Sequence, residues 1–153
     1  MANTYSQIYI HVVFAVKGRN NLIHSSHKIE LYKYITGITN NINQKLIAIN
    51  GMTDHIHLLI GLKPSASLSE VVRDIKANFS RFINEKKWMK GKFEWQRGFG
   101  AFSYSHSQLN TIINYISNQE EHHKKKSFIK EYISFLQHYQ IEFKNEYLFE
   151  EIN

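Results

Sequence analysis

The stretch TDHIHLLIG, residues 53–61, places two histidines, separated by one residue, at the start of an apolar run. Such a run predicts a β-strand, and side chains along a strand alternate between its two faces. His55 and His57 therefore share one face. Three aliphatic residues share the other: Ile56, Leu58 and Ile60. We expect the aliphatic face to pack on helices and both imidazoles to lie on the open face of the sheet.

The flanking sequence predicts alternating strands and helices. Strands are expected at residues 5–16, 45–50, 55–62 and 93–105, and helices at residues 25–43, 67–86, 107–122 and 127–138. Ser67 with Glu70 forms a capping-box pattern, and Ser107 is the expected cap of the third helix. Gly98 and Gly100 are expected bulge or close-approach points.

The first six elements follow the order β-α-β-β-α-β, and further helices come after them. This order predicts an α+β, ferredoxin-like (RRM-like) sandwich with an antiparallel sheet, also used by RNA-recognition domains. A chain of 153 residues suits one domain. We divide it into a ferredoxin-like core (1–106), a helical part (107–138) and an acidic tail (139–153).

Composition narrows the class of protein. The chain is basic, with a net charge of +6 and a pI of about 9.4, and 14% of its residues are aromatic. This composition favours a nucleic acid as the partner, because basic residues attract its phosphates and aromatic rings can stack on its bases. The absence of cysteine excludes disulfides and thiolate metal sites, and fits a reducing cytoplasm. The sequence has no apolar run that could span a membrane, no signal-peptide pattern and no phosphate-binding loop, so we expect neither a membrane nor a nucleotide cofactor.

The histidine pair admits two interpretations. Imidazoles at positions i and i+2 of a strand can hold one cation together, and imidazole suits transition metal ions. They can equally be two hydrogen-bonded structural side chains. A metal site requires a third ligand from elsewhere in the chain.

The helix SQLNTIINYISNQEEHH, residues 107–123, presents polar side chains on one side. Tyr115 and Gln119 are four residues apart and share a face one turn from each other. His122, seven residues after Tyr115, lies on the same side and is a possible proton partner. The alternative is a surface helix whose tyrosine packs at the edge of the apolar stripe.

Taken together, these motifs resemble the HUH single-tyrosine transposases of small insertion sequences and their relatives associated with repetitive extragenic palindromes. The matching segments occur in the order of the family and cover nearly the whole chain. They are IHVVFAVKGR, NGMTDHIHLLI, LSEVVRDIKANFSRFIN, FEWQRGFGAFSYSHSQ, YISNQEEHHKKKSF and IEFKNEYLFE.

This resemblance implies a metal-dependent DNA transposase. His55 and His57 would bind a divalent ion, Mg²⁺ or Mn²⁺, and Gln119 would complete the site through its amide oxygen. Tyr115 would attack a phosphodiester of single-stranded DNA, leaving a 5′-phosphotyrosine and a free 3′-OH. The family acts as homodimers that recognise hairpins near element ends. Three neutral protein ligands would preserve the full charge of the ion toward an anionic substrate.

Basic and aromatic residues supply candidates for DNA contacts. Each of the following could meet a phosphate: Lys17, Arg19, Arg73, Lys76, Arg81, Arg97, Lys124 and Lys125. Trp95, Phe99 and Phe102 could stack on bases, although we favour packing for most of them.

Two rival functions come from other classes. A non-catalytic, domesticated module would bind hairpin nucleic acid without chemistry. A metal-dependent hydrolase would use the histidine pair to activate water, with a carboxylate from Asp54, Glu120 or Glu121.

Overall fold

The structure is a computed structural model that describes residues 4–18 and 23–149, and its centre is a four-stranded antiparallel sheet of order β2-β3-β1-β4. The elements are β1 (Tyr9–Ala15), α1 (Lys28–Asn41), β2 (Lys45–Met52), β3 (His55–Gly61), α2 (Leu68–Lys86), β4 (Gly100–Tyr104), α3 (Leu109–Ser117), α4 (Gln119–His123) and α5 (Phe128–His138). The predicted ferredoxin-like α+β fold is confirmed.

The position of β3 in the sheet fixes where the histidine pair lies. β3 forms a hairpin with β2 and pairs with β1 on its other side. The register with β1 sets His55 opposite Ala15 and His57 opposite Val13. Both imidazoles therefore stand near the centre of the sheet.

The aliphatic face of β3 packs on α1 and α2 as expected. Ile56, Leu58 and Ile60 are fully buried in one cluster that includes Leu31 of α1 and Phe79 of α2. Burying each such side chain contributes about 1.5–3 kcal/mol to folding. The predicted start of α2 is correct, because the Ser67 hydroxyl accepts a hydrogen bond from the backbone N–H of Glu70.

The fourth strand is shorter than predicted. Only Gly100–Tyr104 pairs with β1, and residues 93–99 contribute one isolated bridge, from Val16 to Trp95. Side chains of α2 bind the backbone of this segment: Asn84 accepts from the N–H of Phe93, and Lys76 donates to two carbonyls. The close approach expected at Gly100 is confirmed, since a Cβ there would lie 2.5 Å from the Tyr132 ring.

The predicted helix at 107–122 is two helices. Its cap is Ser105 rather than Ser107, because Ser105 and Gln108 form a reciprocal capping box ahead of a short 3₁₀ turn. The backbone leaves helical geometry at Asn118 (φ −103°, ψ 30°), which separates α3 from α4. Ser127 caps α5 close to the predicted boundary.

The second face of the sheet is not open, contrary to expectation. Leu59 packs on Ile112 and Ile116 of α3, and both histidines have no solvent exposure. The helices after β4 fold back over this face. The spacing of apolar residues within each helix predicts the helix but not the surface on which it packs. Within residues 4–18 and 23–149, no helix is long and apolar enough to cross a membrane.

Candidate metal and tyrosine site

The two strand histidines point into a closed polar cluster. Their ring centroids are 5.0 Å apart, and both side chains are fully buried. His55 Nε2 lies 3.2 Å from Gln119 Oε1, and His57 Nε2 lies 3.1 Å from Glu131 Oε1. The strand thus supplies two imidazole nitrogens that face the same space.

Glu131 of α5 is the centre of this cluster. Its Oε1 atom lies 3.1 Å from Nε2 of His57, 3.4 Å from Nε2 of His123 and 3.7 Å from Nε2 of His55. One ligand atom from each of these four residues falls within 4.8 Å of all the others. Four protein groups on three different elements can therefore hold one metal ion.

Gln119, the predicted third ligand, belongs to the same cluster. Its side chain is fully buried, and Oε1 is 3.2 Å from His55 Nε2 and 3.1 Å from His123 Nε2. The break at Asn118 leaves Gln119 as the first residue of α4. The amide oxygen is thus turned toward the imidazoles.

The Tyr115 hydroxyl donates a hydrogen bond to Glu131 Oε2. A single carboxylate therefore links the tyrosine to the histidines. His122, the proton partner considered from spacing, instead stacks on the Tyr115 ring with centroids 4.4 Å apart. Burial, then the charge and hydrogen bond of Glu131, raise the pKa of Tyr115, so the phenol is neutral in this arrangement.

Further polar groups contact the two strand histidines at Nδ1, the ring nitrogen that does not face the cluster. Asp54 Oδ1 is 2.7 Å from His55 Nδ1, and His11 Nε2 is 2.7 Å from His57 Nδ1. Such contacts fix the ring orientation and direct Nε2 toward the cluster. His11 is fully buried, and its Nδ1 atom has no hydrogen-bond partner among the described residues.

The charges of the cluster follow from burial and pairing. Burial lowers the pKa of His57 to about 4 despite the nearby Glu131, so His57 is neutral at pH 7. Burial alone would raise the pKa of Glu131, but hydrogen bonds from His123, His57 and Tyr115 hold it far below its usual range. The same pairing outweighs burial at His123 and raises its pKa. The cluster is thus one buried carboxylate among imidazoles.

The donor types fit a divalent metal ion. Neutral imidazole nitrogens suit transition ions, and carboxylate and amide oxygens suit Mg²⁺ and Mn²⁺. Of the predicted ligands, the structure brings His55, His57 and Gln119 together. The Glu131 carboxylate, which was not among the predicted neutral ligands, lies beside them.

The basic residues considered for DNA binding are spread over several elements. Arg73 Nε is 3.7 Å from Asp74, Arg81 donates to Asn78, and Lys124 pairs with Glu121 at 3.0 Å. Lys17 and Arg97 line one hollow beside residues 92–96, and Lys125 lines the space between α3 and α5 beside Tyr115. Arg19 lies outside the described residues.

Lys76 differs from the other basic candidates. Its ammonium donates to the carbonyls of Gln96 and Gly98 at 3.0 Å each and lies 5.6 Å above the Phe14 ring. Two of the aromatic residues considered for stacking on bases pack within the protein instead. Trp95 contacts Phe14, and Phe102 is buried against α5.

Sequence reasoning missed His11, His123 and Glu131. One signal was available for Glu131, because it lies inside the apolar stripe of α5 with Phe128, Tyr132 and Phe135. A carboxylate in such a stripe is predicted to be buried and paired. No local pattern distinguishes His11 from an ordinary strand residue.

Comparisons with known proteins agree with this geometry. The family model described as "Transposase IS200 like" matches residues 4–119. A crystal structure of a proposed transposase from Deinococcus radiodurans R1 is similar, with 21% identity and a TM-score of 0.61, over 78% of this chain and 95% of that one. A REP-associated tyrosine transposase bound to a REP hairpin shares 15% identity with a TM-score of 0.57, over 77% and 70%. No curated protein matches the chain.

Proposed function

Because the chain belongs to the IS200-like transposase family, we propose that it cleaves and rejoins single-stranded DNA through Tyr115. One observation carries the proposal. The Tyr115 hydroxyl donates to Glu131 Oε2, while Glu131 Oε1 lies 3.1 Å from His57 Nε2. The nucleophile and the metal-binding group are therefore joined by one carboxylate.

The reaction is an exchange of one phosphoester for another. The Tyr115 oxygen forms a bond to phosphorus, and the bond from phosphorus to the 3′ oxygen breaks, giving a 5′-phosphotyrosine and a free 3′-OH. The proton that Tyr115 loses passes to water, and the leaving 3′ oxygen takes a proton from water. Since an ester replaces an ester, the 3′-OH of a new strand can reverse the step without nucleotide hydrolysis.

The ion would be held by His55, His57 and Gln119, with His123 and Glu131 as additional ligands. A bound divalent ion supplies Lewis-acid polarisation of the scissile phosphate. The imidazole-rich set favours Mn²⁺ over Mg²⁺, because Mg²⁺ prefers oxygen ligands. His11 and Asp54 would keep the two strand imidazoles in the orientation that binding requires.

Glu131 has two roles in this proposal: it is an additional ligand of the ion, and its Oε2 accepts the hydrogen bond that orients the Tyr115 hydroxyl. Its charge raises the pKa of Tyr115 in the ion-free arrangement, so the tyrosine stays neutral until positive charge enters the cluster. Replacing Glu131 by Gln keeps the shape and removes the charge. We expect Glu131→Gln to weaken Mn²⁺ binding in calorimetry and to slow adduct formation, whereas Glu30→Gln, at a surface ion pair with Lys86, changes neither. Faster adduct formation by Glu131→Gln would contradict both roles.

Recognition of DNA hairpins and a homodimer complete the proposal. The solved REP-associated transposase holds a REP hairpin, which supports hairpin DNA as the partner of this chain. The contact between Tyr115 and Glu131 within one chain supports cleavage by residues of a single subunit. The dimer stays a prediction from the family resemblance.

A covalent adduct tests the central proposal. Single-stranded oligonucleotides that tile the DNA flanking the gene are incubated with the protein and Mn²⁺, then separated on a denaturing gel. We expect a protein–DNA adduct that disappears with chelator and in Tyr115→Phe but persists in Tyr34→Phe, whose ring stacks on Phe82 in the core. An adduct that survives Tyr115→Phe would exclude Tyr115 as nucleophile.

The same gel separates the rival functions. A non-catalytic module would retard hairpin DNA in a native gel yet form no adduct. A hydrolase would release cut DNA without a protein link and would tolerate Tyr115→Phe. The buried Glu131 carboxylate gives the hydrolase its acidic ligand, whereas Asp54 is engaged by His55.

A further inference from the structure

A cleft of about 850 Å³ lies between α3 and α5 and reaches Tyr115 and Glu131 at its floor. We term it the α3–α5 cleft. Its volume is in the range of ligand-binding pockets. Glu131 joins the cleft to the cluster, since Oε1 faces the imidazole of His57 and Oε2 accepts from Tyr115, which lines the cleft.

The walls of the cleft are two helical faces. Residues 108, 111, 112 and 115 line it along α3 and the turn before it, and residues 131, 134, 135 and 138 line it along α5. Both sets have the spacing i, i+3, i+4, i+7 of a single helix face. At a rise of about 1.5 Å per residue, each wall is about 10 Å long. That length accommodates one nucleotide of an extended strand.

The two ends of the cleft differ in chemistry. At the tyrosine end, His122 stacks on Tyr115, and Lys125 and Lys126 line the same end. Lys126 donates to Ser134 at 2.8 Å, which orients its ammonium over the cleft wall. At the other end stand the rings of Tyr104 and Tyr139, with centroids 6.0 Å apart.

Among the described residues, Glu131 is the only acidic one that lines the cleft. Its carboxylate is 3% exposed and is paired with imidazoles and the Tyr115 hydroxyl. The rest of the lining is neutral or cationic. Cations at one end and aromatic rings at the other are the two elements of single-strand binding, because lysines meet the backbone and rings stack on bases.

We propose that the α3–α5 cleft binds the nucleotide of single-stranded DNA adjacent to the scissile phosphate. Lys125 and Lys126 contact its phosphate beside Tyr115, and its base stacks among Tyr104, Phe135 and Tyr139. This inference rests on the proposed function, since the cleft has this meaning only if Tyr115 is the nucleophile. It adds a binding subsite outside the histidine cluster.

Binding without cleavage tests the cleft separately from the chemistry. Anisotropy of a short fluorescein-labelled oligo-dT strand is measured in EDTA, so a failure of the adduct reaction leaves this readout unaffected. Thr111→Trp places an indole in the cleft from an exposed position of α3. Asn114→Trp places the same indole on an exposed position that does not line it. We expect Thr111→Trp to weaken binding by about tenfold or more and Asn114→Trp to remain within about twofold of the unmodified protein.

A pair of lysines tests the phosphate contact. Lys125 lines the cleft, whereas Lys33 is exposed on α1 and does not line it. Lys125→Ala should weaken binding several-fold and reduce the slope of log K against log salt by about 0.7, the value for one single-strand phosphate. Lys33→Ala should leave both quantities nearly unchanged.

Three results would overturn the inference. The first is equal binding by Thr111→Trp and Asn114→Trp when circular dichroism shows both folded. The second is an equal loss in Lys125→Ala and Lys33→Ala, which would indicate general attraction. The third is a loss confined to a blunt hairpin with oligo-dT unaffected, which would make the cleft a duplex site.

Discussion

The two faces of β3 are buried to the same degree and differ in almost everything else. On one face, Ile56, Leu58 and Ile60 pack among aliphatic and aromatic side chains of α1 and α2. On the other, His55 and His57 meet two carboxylates, an amide and two further imidazoles. Apolar burial stabilises the fold without specific partners. Each buried polar group instead requires a partner at hydrogen-bond distance.

This difference teaches how one strand serves both folding and chemistry. The partners of the histidines come from β1, the turn before β3, α4 and α5, so they meet only when the whole chain is folded. The apolar face supplies the stability that holds the strand in place. The polar face then presents ligand atoms that can hold an ion. The two faces should respond differently to substitution, to acid and to metal.

Truncation on the apolar face should have the largest effect. Leu58→Ala removes a fully buried side chain, and we expect the free energy of unfolding to fall by about 2–5 kcal/mol, since lost burial and a residual cavity add together. Urea unfolding followed by circular dichroism measures it. Lys33→Ala on the exposed side of α1 is the control. A loss below about 1 kcal/mol would mean that this face does not carry the stability.

Acid should destabilise the protein through the polar face. The folded state holds the pKa of His57 near 4 against 6.5 when unfolded, so the unfolded chain binds the proton first as the pH falls. The contribution of His57, present above pH 6.5, is lost between pH 6.5 and 4 and amounts to at most about 3 kcal/mol. His123, whose pKa is raised, opposes part of this loss.

Urea midpoints across this pH range measure the acid effect. His57→Gln removes one titrating group and should reduce the dependence above pH 4.5, leaving the part due to His11, whose pKa burial also lowers. Below that pH, protonation of Glu131, whose pKa is lowered in the folded state, should add a further loss in both proteins. An equally steep dependence in His57→Gln between pH 6.5 and 4.5 would assign the acid effect to other groups.

Metal should stabilise the protein only through the polar face. At about 100 times its Kd, an ion that binds the folded state alone adds about 2.7 kcal/mol. We expect Mn²⁺ to raise the melting temperature of the unmodified protein and of Leu58→Val, but not of His55→Gln. Scanning calorimetry with and without EDTA measures these melting temperatures. An equal rise in His55→Gln would place the ion elsewhere.

The smallest predicted effect concerns His11, which contacts His57 but is not a proposed ligand. His11 touches His57 Nδ1 at 2.7 Å and faces no other member of the cluster at that distance. His11→Gln should lower Mn²⁺ affinity about tenfold, the lower end for residues that orient a ligand, with little change in stability. Isothermal titration calorimetry gives the affinity. An unchanged Kd would make His11 a packing residue only.

Sequence patterns predicted those parts of the molecule that local rules control. Alternation assigned the faces of β3. The spacing of Tyr115 and Gln119 predicted that the two side chains lie together, and both reach Glu131 although Asn118 separates their helices. The contact between Glu131 and His57 joins residues 74 apart in sequence, and no local period encodes such a meeting. Residues 93–99 have strand-like composition, yet they meet the end of β1 through a single described bridge, Val16 to Trp95, with its flanking hydrogen bonds. Asn84 and Lys76 of α2 bind backbone groups on either side of that bridge. Contacts between residues distant in sequence determined both the Glu131–His57 pair and the conformation of residues 93–99.

Gly100 has a consequence that reaches the site without touching it. Any side chain there would meet the ring of Tyr132, with 2.5 Å between its Cβ and the nearest ring carbon. Tyr132 is held between Phe128 and Phe149, so α5 would have to move away from the sheet to make room. Glu131 immediately precedes Tyr132 on that helix. The absence of a side chain at Gly100 therefore determines how closely α5, and with it the Glu131 carboxylate, can approach the sheet.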